Sequence, residues 1–246
     1  MMRRFGLIGY PLTHSFSQKF FTEKFSRENI PGCRYDNFPL NSIEELPKLL
    51  KDNPDLEGLN VTIPYKEQVL SYLDVKSPLV KKIRACNCIK IEKGKLIGHN
   101  TDVPAFEQTF REKLKPHHKK ALVLGTGGAA KAVVYCLDQL KIPYHHVSRK
   151  PSATSFSYEQ LTDDLMNEYQ VIINTTPLGM FPNIVEAPQI PYHALTKKHY
   201  LFDLIYNPER TLFLLKGEEQ GAVTKNGHEM LILQAEESWK IWNQAG

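Results

Sequence analysis

Two hydrophobic rhythms alternate along this chain. Short apolar runs at 5–10, 58–63, 121–124, 144–148, 171–174, 200–204 and 222–224 read as strands. The segments between them repeat apolar residues at the spacing of a helix face. Pro11 closes the first run, and a helix is expected over 18–29 with Ser17 as its N-cap. A strand over 35–40 precedes a helix starting at Ser42, where Ser42-Ile43-Glu44-Glu45 has the form of a capping box. The run at 58–63 stops at Pro64, helical pieces follow over 64–73 and 77–83, and a hairpin over 86–100 turns at Lys93-Gly94-Lys95. Beyond Asp102, which can cap a helix reaching 114, strands and helices alternate up to a closing helix over 227–243. That alternation predicts a mostly parallel sheet covered by helices on both faces.

At 246 residues the chain can hold two modest domains or one large one, and its 41% hydrophobic and 24% charged residues suit a soluble globular protein. The formal charge of +4 is mild and the Lys and Arg residues are scattered, so no nucleic-acid partner is expected, whereas a small anionic molecule suits this balance. Cys33, Cys86, Cys88 and Cys136 form no ligand pattern and read as buried free thiols in a reducing compartment; no metal is expected. The basic start Met1-Met2-Arg3-Arg4 leads into an apolar run too short for a signal peptide, and no stretch is long enough to span a membrane. A cytoplasmic protein is expected.

The stretch Gly125-Thr126-Gly127-Gly128-Ala129-Ala130 lies between a strand and a helical segment. Strand, glycine turn and helix in that order form a dinucleotide-binding fingerprint, with the pyrophosphate on the helix N-terminus. Ala130 in the third small position makes this the relaxed form, and glycines at such spacing also occur in ordinary turns. The next strand ends about twenty residues on, where that fold usually carries a ribose-binding carboxylate. Here it ends in Ser148-Arg149-Lys150. A carboxylate would repel a 2′-phosphate, while Arg149 can grip one, so NADP is expected rather than NAD; a solvated loop is the plain alternative. Asn174-Thr175-Thr176 and the turn to Met180 follow another strand and are read as lining the nicotinamide half, or as an ordinary loop.

Further polar residues stand where chemistry would need them. Ser15 and Ser17 flank Phe16, although capping alone explains Ser17. Asn60 and Thr62 face one way on a strand that ends close to Lys66. Asn87 interrupts an apolar strand, and Asp102 stands at a change of pattern that suits either a helix cap or a hinge. Gln234 sits among apolar residues of the last helix, where a buried amide needs partners.

Taken in order, His14-Ser15-Phe16-Ser17, Asn60-Val61-Thr62 through Lys66, Asn87, Asn100-Thr101-Asp102, the Gly125 turn, Ser148-Arg149-Lys150, the stretch from Asn174 to Met180, Asp203-Leu204-Ile205-Tyr206-Asn207-Pro208 and Asn226-Gly227 through Gln234 resemble the shikimate dehydrogenase family. The resemblance implies an α/β protein of two domains with a cleft between them. Residues 1–101 with 227–246 would form a substrate-binding, catalytic domain with a mixed sheet, and 102–226 a Rossmann-type NADP domain. It implies reversible reduction of 3-dehydroshikimate to shikimate, a step toward chorismate and the aromatic amino acids, by a monomer or homodimer. Lys66 and Asp102 would be the catalytic pair. Ser15 and Ser17 would hold the substrate carboxylate, and Asn60, Thr62, Asn87, Tyr206 and Gln234 would contact the rest of it. Gly125, Thr126, Gly127, Gly128, Ala129, Ser148, Arg149, Lys150, Asn174, Thr175, Thr176, Leu204 and Gly227 would line the cofactor. A quinate/shikimate dehydrogenase and a catalytically silent NADP sensor are the alternatives. The chain departs from the family pattern at Thr126, Cys88, Val103 and Ser148, where Ala, Thr, Gly and Asn are usual.

Overall fold

A computed structural model describes residues 2–12, 15–150, 152 and 154–244. The chain divides into two compact units, Met1–Thr101 with Gln234–Gly246, and Asp102–Leu233. The second break therefore falls inside the last helix rather than ahead of it at 226.

The first unit contains β1 (Arg3–Gly9), α1 (Phe16–Arg27), β2 (Cys33–Pro39), α2 (Leu46–Asp52), β3 (Leu56–Val61), β4 (Val75–Lys76), α3 (Pro78–Ile83), β5 (Cys88–Glu92) and β6 (Lys95–His99). Its mixed sheet has the order β2-β1-β3-β5-β6-β4; β1 pairs in parallel with β2 and β3, and β5 pairs antiparallel with β3 and β6. Side chains alternate along each strand, so the sheet feeds two cores. Ile8, Leu59, Val61 and Ile89 enter one of them. Phe5, Leu7 and Cys88 enter the other, with Phe21, Phe25, Tyr35 and Trp242. Ring stacking gives this second core its shape: Phe5 lies 4.8 Å from Trp242 and Phe21 lies 4.5 Å from Tyr35. The Trp242 indole also donates to the Ile89 carbonyl at 3.0 Å.

Three local expectations change here. Helix α1 begins at Phe16, so Ser15 takes the N-cap position and Ser17 lies buried in the first turn. Phe16 stacks on Phe20 one turn later, which draws it into the helix. After Ser42 a 3-10 turn over Ile43–Glu45 comes first, with the Ser42 hydroxyl accepting from the Glu44 N–H. The stretch 64–73 forms only a 3-10 turn at Gln68–Tyr72. Its start is held elsewhere: the Tyr65 hydroxyl donates to the Leu40 carbonyl at 2.6 Å, and the Cys86 N–H takes the Lys66 carbonyl at 2.8 Å.

The second unit contains α4 (Asp102–Arg111), β7 (Ala121–Leu124), α5 (Gly128–Gln139), β8 (Tyr144–Val147), β9 (Ser155–Phe156), α6 (Asp163–Glu168), β10 (Val171–Asn174), β11 (Tyr200–Asp203), α7 (Leu212–Glu219) and β12 (Val223–Lys225); it also holds the start of α8 (His228–Asn243). Its strands run in the order β12-β11-β10-β7-β8-β9, every pair parallel. From β7, the chain steps outward through β8 and β9, then returns to the other side of β7 with β10. The reversal between β7 and β10 is the switch point at which ligands bind in open α/β sheets.

The cysteines are free thiols, buried at Cys86, Cys88 and Cys136 and half-exposed at Cys33. Burial pushes the Cys136 thiol up to about 12. Among the described residues no helix is long and apolar enough to cross a membrane, and no group of acids, histidines and cysteines is arranged to hold a metal.

Candidate active site

The second unit assembles its polar crest at that switch point. Strand β7 ends at Leu124, Gly125 turns the chain with φ 104°, and Gly127 is the N-cap of α5. A side chain at Gly125 would meet the Thr175 hydroxyl at 2.8 Å, so the positive φ and the close approach of the β10 loop both call for glycine. At Gly127 nothing lies within 4 Å of where a side chain would begin; Thr126 and Gly127 are exposed, Gly128 and Ala129 half-buried. Thr175 donates to the Leu124 carbonyl at 2.6 Å, tying the two loops together.

Beneath them lies a buried carboxylate. Asp203, at the end of β11, is fully buried and accepts from Asn174 Nδ2 at 3.0 Å, the Ile205 N–H at 3.0 Å and the Thr211 hydroxyl at 2.6 Å. Asn174 Oδ1 in turn accepts from the Thr176 N–H at 3.0 Å and its hydroxyl at 2.6 Å. Burial raises the Asp203 carboxyl to about 7, against the pull of its three donors. Leu204 donates its N–H to the Asn174 carbonyl at 3.0 Å; Gly227 donates to the Ile205 carbonyl at 3.0 Å. The loops after β10 and β11 and the entry to α8 thus share one hydrogen-bonded frame. Beyond β8, Arg149 and Lys150 are exposed, and the Ser148 hydroxyl accepts from the Lys150 N–H at 3.2 Å. That bond shapes the turn which presents the two cations. An open turn at a helix start, with cations and no carboxylate at the end of the neighbouring strand, fits a phosphorylated dinucleotide. Tyr206 lines a groove of about 580 Å³ with Arg210, Lys225 and Asn226, where Lys225 pairs with Glu112 and Glu229 and Arg210 with Glu218.

In the first unit the polar candidates form a chain. Ser17 hydrogen-bonds the Tyr35 hydroxyl, which donates to Asn60 Oδ1 at 2.8 Å. Asn60 Nδ2 donates to Ser238 of α8 at 2.8 Å and to the Asn87 carbonyl at 3.3 Å. Asn87 donates to the Thr101 hydroxyl at 2.9 Å and to Gln234 at 3.4 Å, and accepts from the Thr101 N–H at 2.7 Å. Ser17, Asn60, Asn87 and Gln234, separately conspicuous in the sequence, belong to one network. Asn60 is 4% exposed and its amide is committed to these partners. Burial raises the Tyr35 hydroxyl well above its ordinary value. Ser15 Oγ is buried and, with Asn37 Oδ1, lacks a hydrogen-bond partner among the described residues. His14, which opens that stretch, lies outside the described residues. Thr62 and Lys66 are half-buried beyond the end of β3, and Asp102 is buried as the first residue of α4. Lys66 belongs to the first unit and Asp102 to the second.

Sequence reasoning passed over Tyr35, Ser238, His146 and the Asp203–Thr211 pair. Ser238 was within reach, one helical turn after Gln234 on the same face. Tyr35 is a polar-tipped aromatic in an inward strand position, where its hydroxyl needs a partner.

Residues 7–89 match the family described as shikimate dehydrogenase substrate binding domain. The whole chain is similar to the shikimate dehydrogenase (NADP(+)) of Caldicellulosiruptor saccharolyticus, at 35% identity over 98% of this chain and 92% of the relative. The chain belongs to the shikimate dehydrogenase family. Its fold is that of solved shikimate dehydrogenases: the shikimate 5-dehydrogenase of Thermus thermophilus, in complex with NADP(H) and shikimate, matches with a TM-score of 0.86 at 27% identity, covering 98% of this chain and 94% of that one. The ligand-free 5-ketofructose reductase of a Gluconobacter strain is also similar, with a TM-score of 0.82 at 26% identity over 99% of this chain and 93% of that one. The shikimate dehydrogenase fold therefore also occurs in a reductase named for a different ketone.

Proposed function

We propose that this chain catalyses the reversible NADPH-dependent reduction of 3-dehydroshikimate to shikimate, a step of aromatic biosynthesis. Membership of the family carries the reaction class, and one feature of the first unit carries the substrate. Among the described residues the buried hydroxyl of Ser15, at the start of α1, has no partner, and it is a donor suited to a carboxylate; Ser17, two residues on, gives its hydrogen to Tyr35 and can meet the substrate only as an acceptor. A ketose has no carboxylate to offer it, so this hydroxyl favours a cyclic acid over a sugar-like ketone. The amides of Asn87 and Gln234 suit the ring hydroxyls of such an acid, with Thr62 and Tyr206 as further contacts. Asn60 acts by holding Tyr35, Ser238 and Asn87 in register.

NADP binds across the β7–β10 switch point, with the Gly125–Gly128 turn and Ala129 on the pyrophosphate, Ser148, Arg149 and Lys150 on the 2′-phosphate, and Asn174, Thr175, Thr176, Leu204 and Gly227 toward the nicotinamide. When bound, it supplies the hydride. The protein must supply the proton: Lys66, as ammonium, stabilises negative charge growing on the carbonyl oxygen and delivers a proton to it, and Asp102 orients Lys66 and a substrate hydroxyl. In the oxidation direction Lys66 takes the proton back, with Asp102 orienting it as before.

The test is a spectrophotometric assay of shikimate with NADP, with quinate, NAD and 5-ketofructose (with NADPH) as controls. Shikimate with NADP is expected to give the highest kcat/KM. A higher value with quinate transfers the assignment to a quinate/shikimate dehydrogenase. NADP binding without turnover of any of these substrates supports a silent cofactor sensor instead.

A further inference from the structure

The glycine turn is held from two sides. On the β10 side Thr175 donates to the Leu124 carbonyl at 2.6 Å. On the β8 side the ring of His146 meets the carbonyl of Gly125 through Nδ1 at 2.8 Å. A carbonyl only accepts, so Nδ1 carries the hydrogen and His146 is the donor. His146 pairs with Val123 across the β7–β8 ladder, which brings it alongside the turn. Tyr144 packs edge-on against its ring at 5.7 Å.

We infer that His146 is the positioning residue of the phosphate-binding turn. The inference rests on the reading of that turn as the pyrophosphate site of NADP. In a trans peptide the C=O of one residue and the N–H of the next point in opposite directions. Holding the Gly125 carbonyl toward β8 therefore aims the Thr126 N–H away from β8. Glycine at 125, with φ 104°, makes this peptide easy to rotate, because no side chain opposes the change. The conformational freedom that lets the chain turn also leaves the peptide plane unspecified, and the imidazole specifies it. Thr175 cannot do this alone, since it grips the preceding peptide, that of Leu124. Without His146, the turn must order itself when the ligand arrives, and the cost appears as lost affinity.

The effect is confined to the pyrophosphate end. Arg149 and Lys150 lie past the end of β8 in their own turn, closed by the Ser148 hydroxyl. A ligand that carries the 2′-phosphate but no pyrophosphate, adenosine 2′-monophosphate, therefore does not sense the imidazole. The experiment compares NADP and adenosine 2′-monophosphate by titration calorimetry on the wild-type protein, His146→Leu, His146→Ala and His146→Asn. The amide nitrogen of asparagine stands close to where Nδ1 stood and keeps a donor for the Gly125 carbonyl. Leucine and alanine are expected to weaken NADP about tenfold, the scale of one hydrogen bond to a group left unpaired, and to leave adenosine 2′-monophosphate unchanged. Asparagine restores NADP to within about threefold of wild type. In turnover the KM for NADP rises in step while kcat and the KM for shikimate stay put. Equal NADP affinity in wild type and both truncations, a parallel loss of the two nucleotides, or an asparagine variant as weak as leucine would each overturn the inference. A wild-type protein that binds NADP but turns over no substrate unseats the proposed reaction and leaves this test standing.

Discussion

Arg149 stands exposed at the end of β8, where a carboxylate would select against a 2′-phosphate. Arg149→Ala is expected to lower the ratio of kcat/KM for NADPH to that for NADH by about a hundredfold, the scale of a lost bidentate charge-assisted contact. An unchanged ratio would remove Arg149 from cofactor choice. For Lys66→Ala the expected loss is in kcat, on the order of a thousandfold, with the KM for shikimate changed only a few-fold. Near-normal turnover would take Lys66 out of the chemistry. The two kinds of residue are not equally open to reading from sequence. Glycines and arginines declare themselves because a backbone angle or a phosphate admits few alternatives. Asn60 does not, because an amide on a strand reads the same whether it meets a ligand or, as here, Tyr35 and Ser238. The N-cap falls on Ser15 rather than Ser17 for a similar reason: the stacking of Phe16 on Phe20, not the hydroxyl, decides where α1 begins.

Between elements, the clasp of α1 on α8 is the sharpest electrostatic feature of the first unit. Lys24 is 4% exposed and reaches Glu28 at 2.8 Å and Glu236 at 2.7 Å. Burial pulls its ammonium down, but the two carboxylates outweigh burial and hold it above its ordinary value. Lys24→Met removes the cation between two acids that retain partial access to water, and is expected to cost about 1–2 kcal/mol, read as a lower denaturant midpoint. A midpoint equal to wild type would mean that the clasp adds nothing. Strands such as β7 and β10 were legible in full because a strand buried on both faces is a continuous apolar run. The two-residue strands β4 and β9 were not, since periodicity has no meaning at that length. The stretch 64–73 misled because the Lys66 carbonyl is taken by the Cys86 N–H, a partner distant in sequence, while the Tyr65 hydroxyl anchors its residue to Leu40.

Across the whole molecule, two buried groups set opposing responses to acid. His118, 4% exposed, donates to the Lys198 carbonyl and accepts from the Lys115 N–H, and burial lowers its ring from 6.5 to about 4. Between those values the unfolded chain binds the extra proton, so stability falls as pH drops. Asp203 moves from 3.8 to about 7, so there the folded chain binds the extra proton, and stability is lost as pH rises through that range. The two slopes oppose each other between about pH 4 and 6.5. Asp203→Asn removes one of them; on acidification from about pH 6.5 to 4.5 it is expected to lose on the order of 2 kcal/mol more than wild type loses. Parallel pH profiles in denaturant titrations would refute this. The parallel character of the second sheet was legible because its strands alternate with helices, although its strand order was not read from the sequence. The mixed order of the first was legible only at the β5–β6 hairpin; β5 joins β3 and β4 joins β6 through contacts that no local pattern encodes.

One consequence of the divided helix α8 concerns time. Trp239 and Trp242 pack on Phe5 and Phe25, and Ser238 closes the network around Asn60, yet all three are synthesised only after every strand of both units. The middle unit has all its strands before α8 is made. The first unit, begun before the second, keeps an uncovered aromatic face until the final turns of α8 arrive, so of the two units the one that begins earlier finishes later.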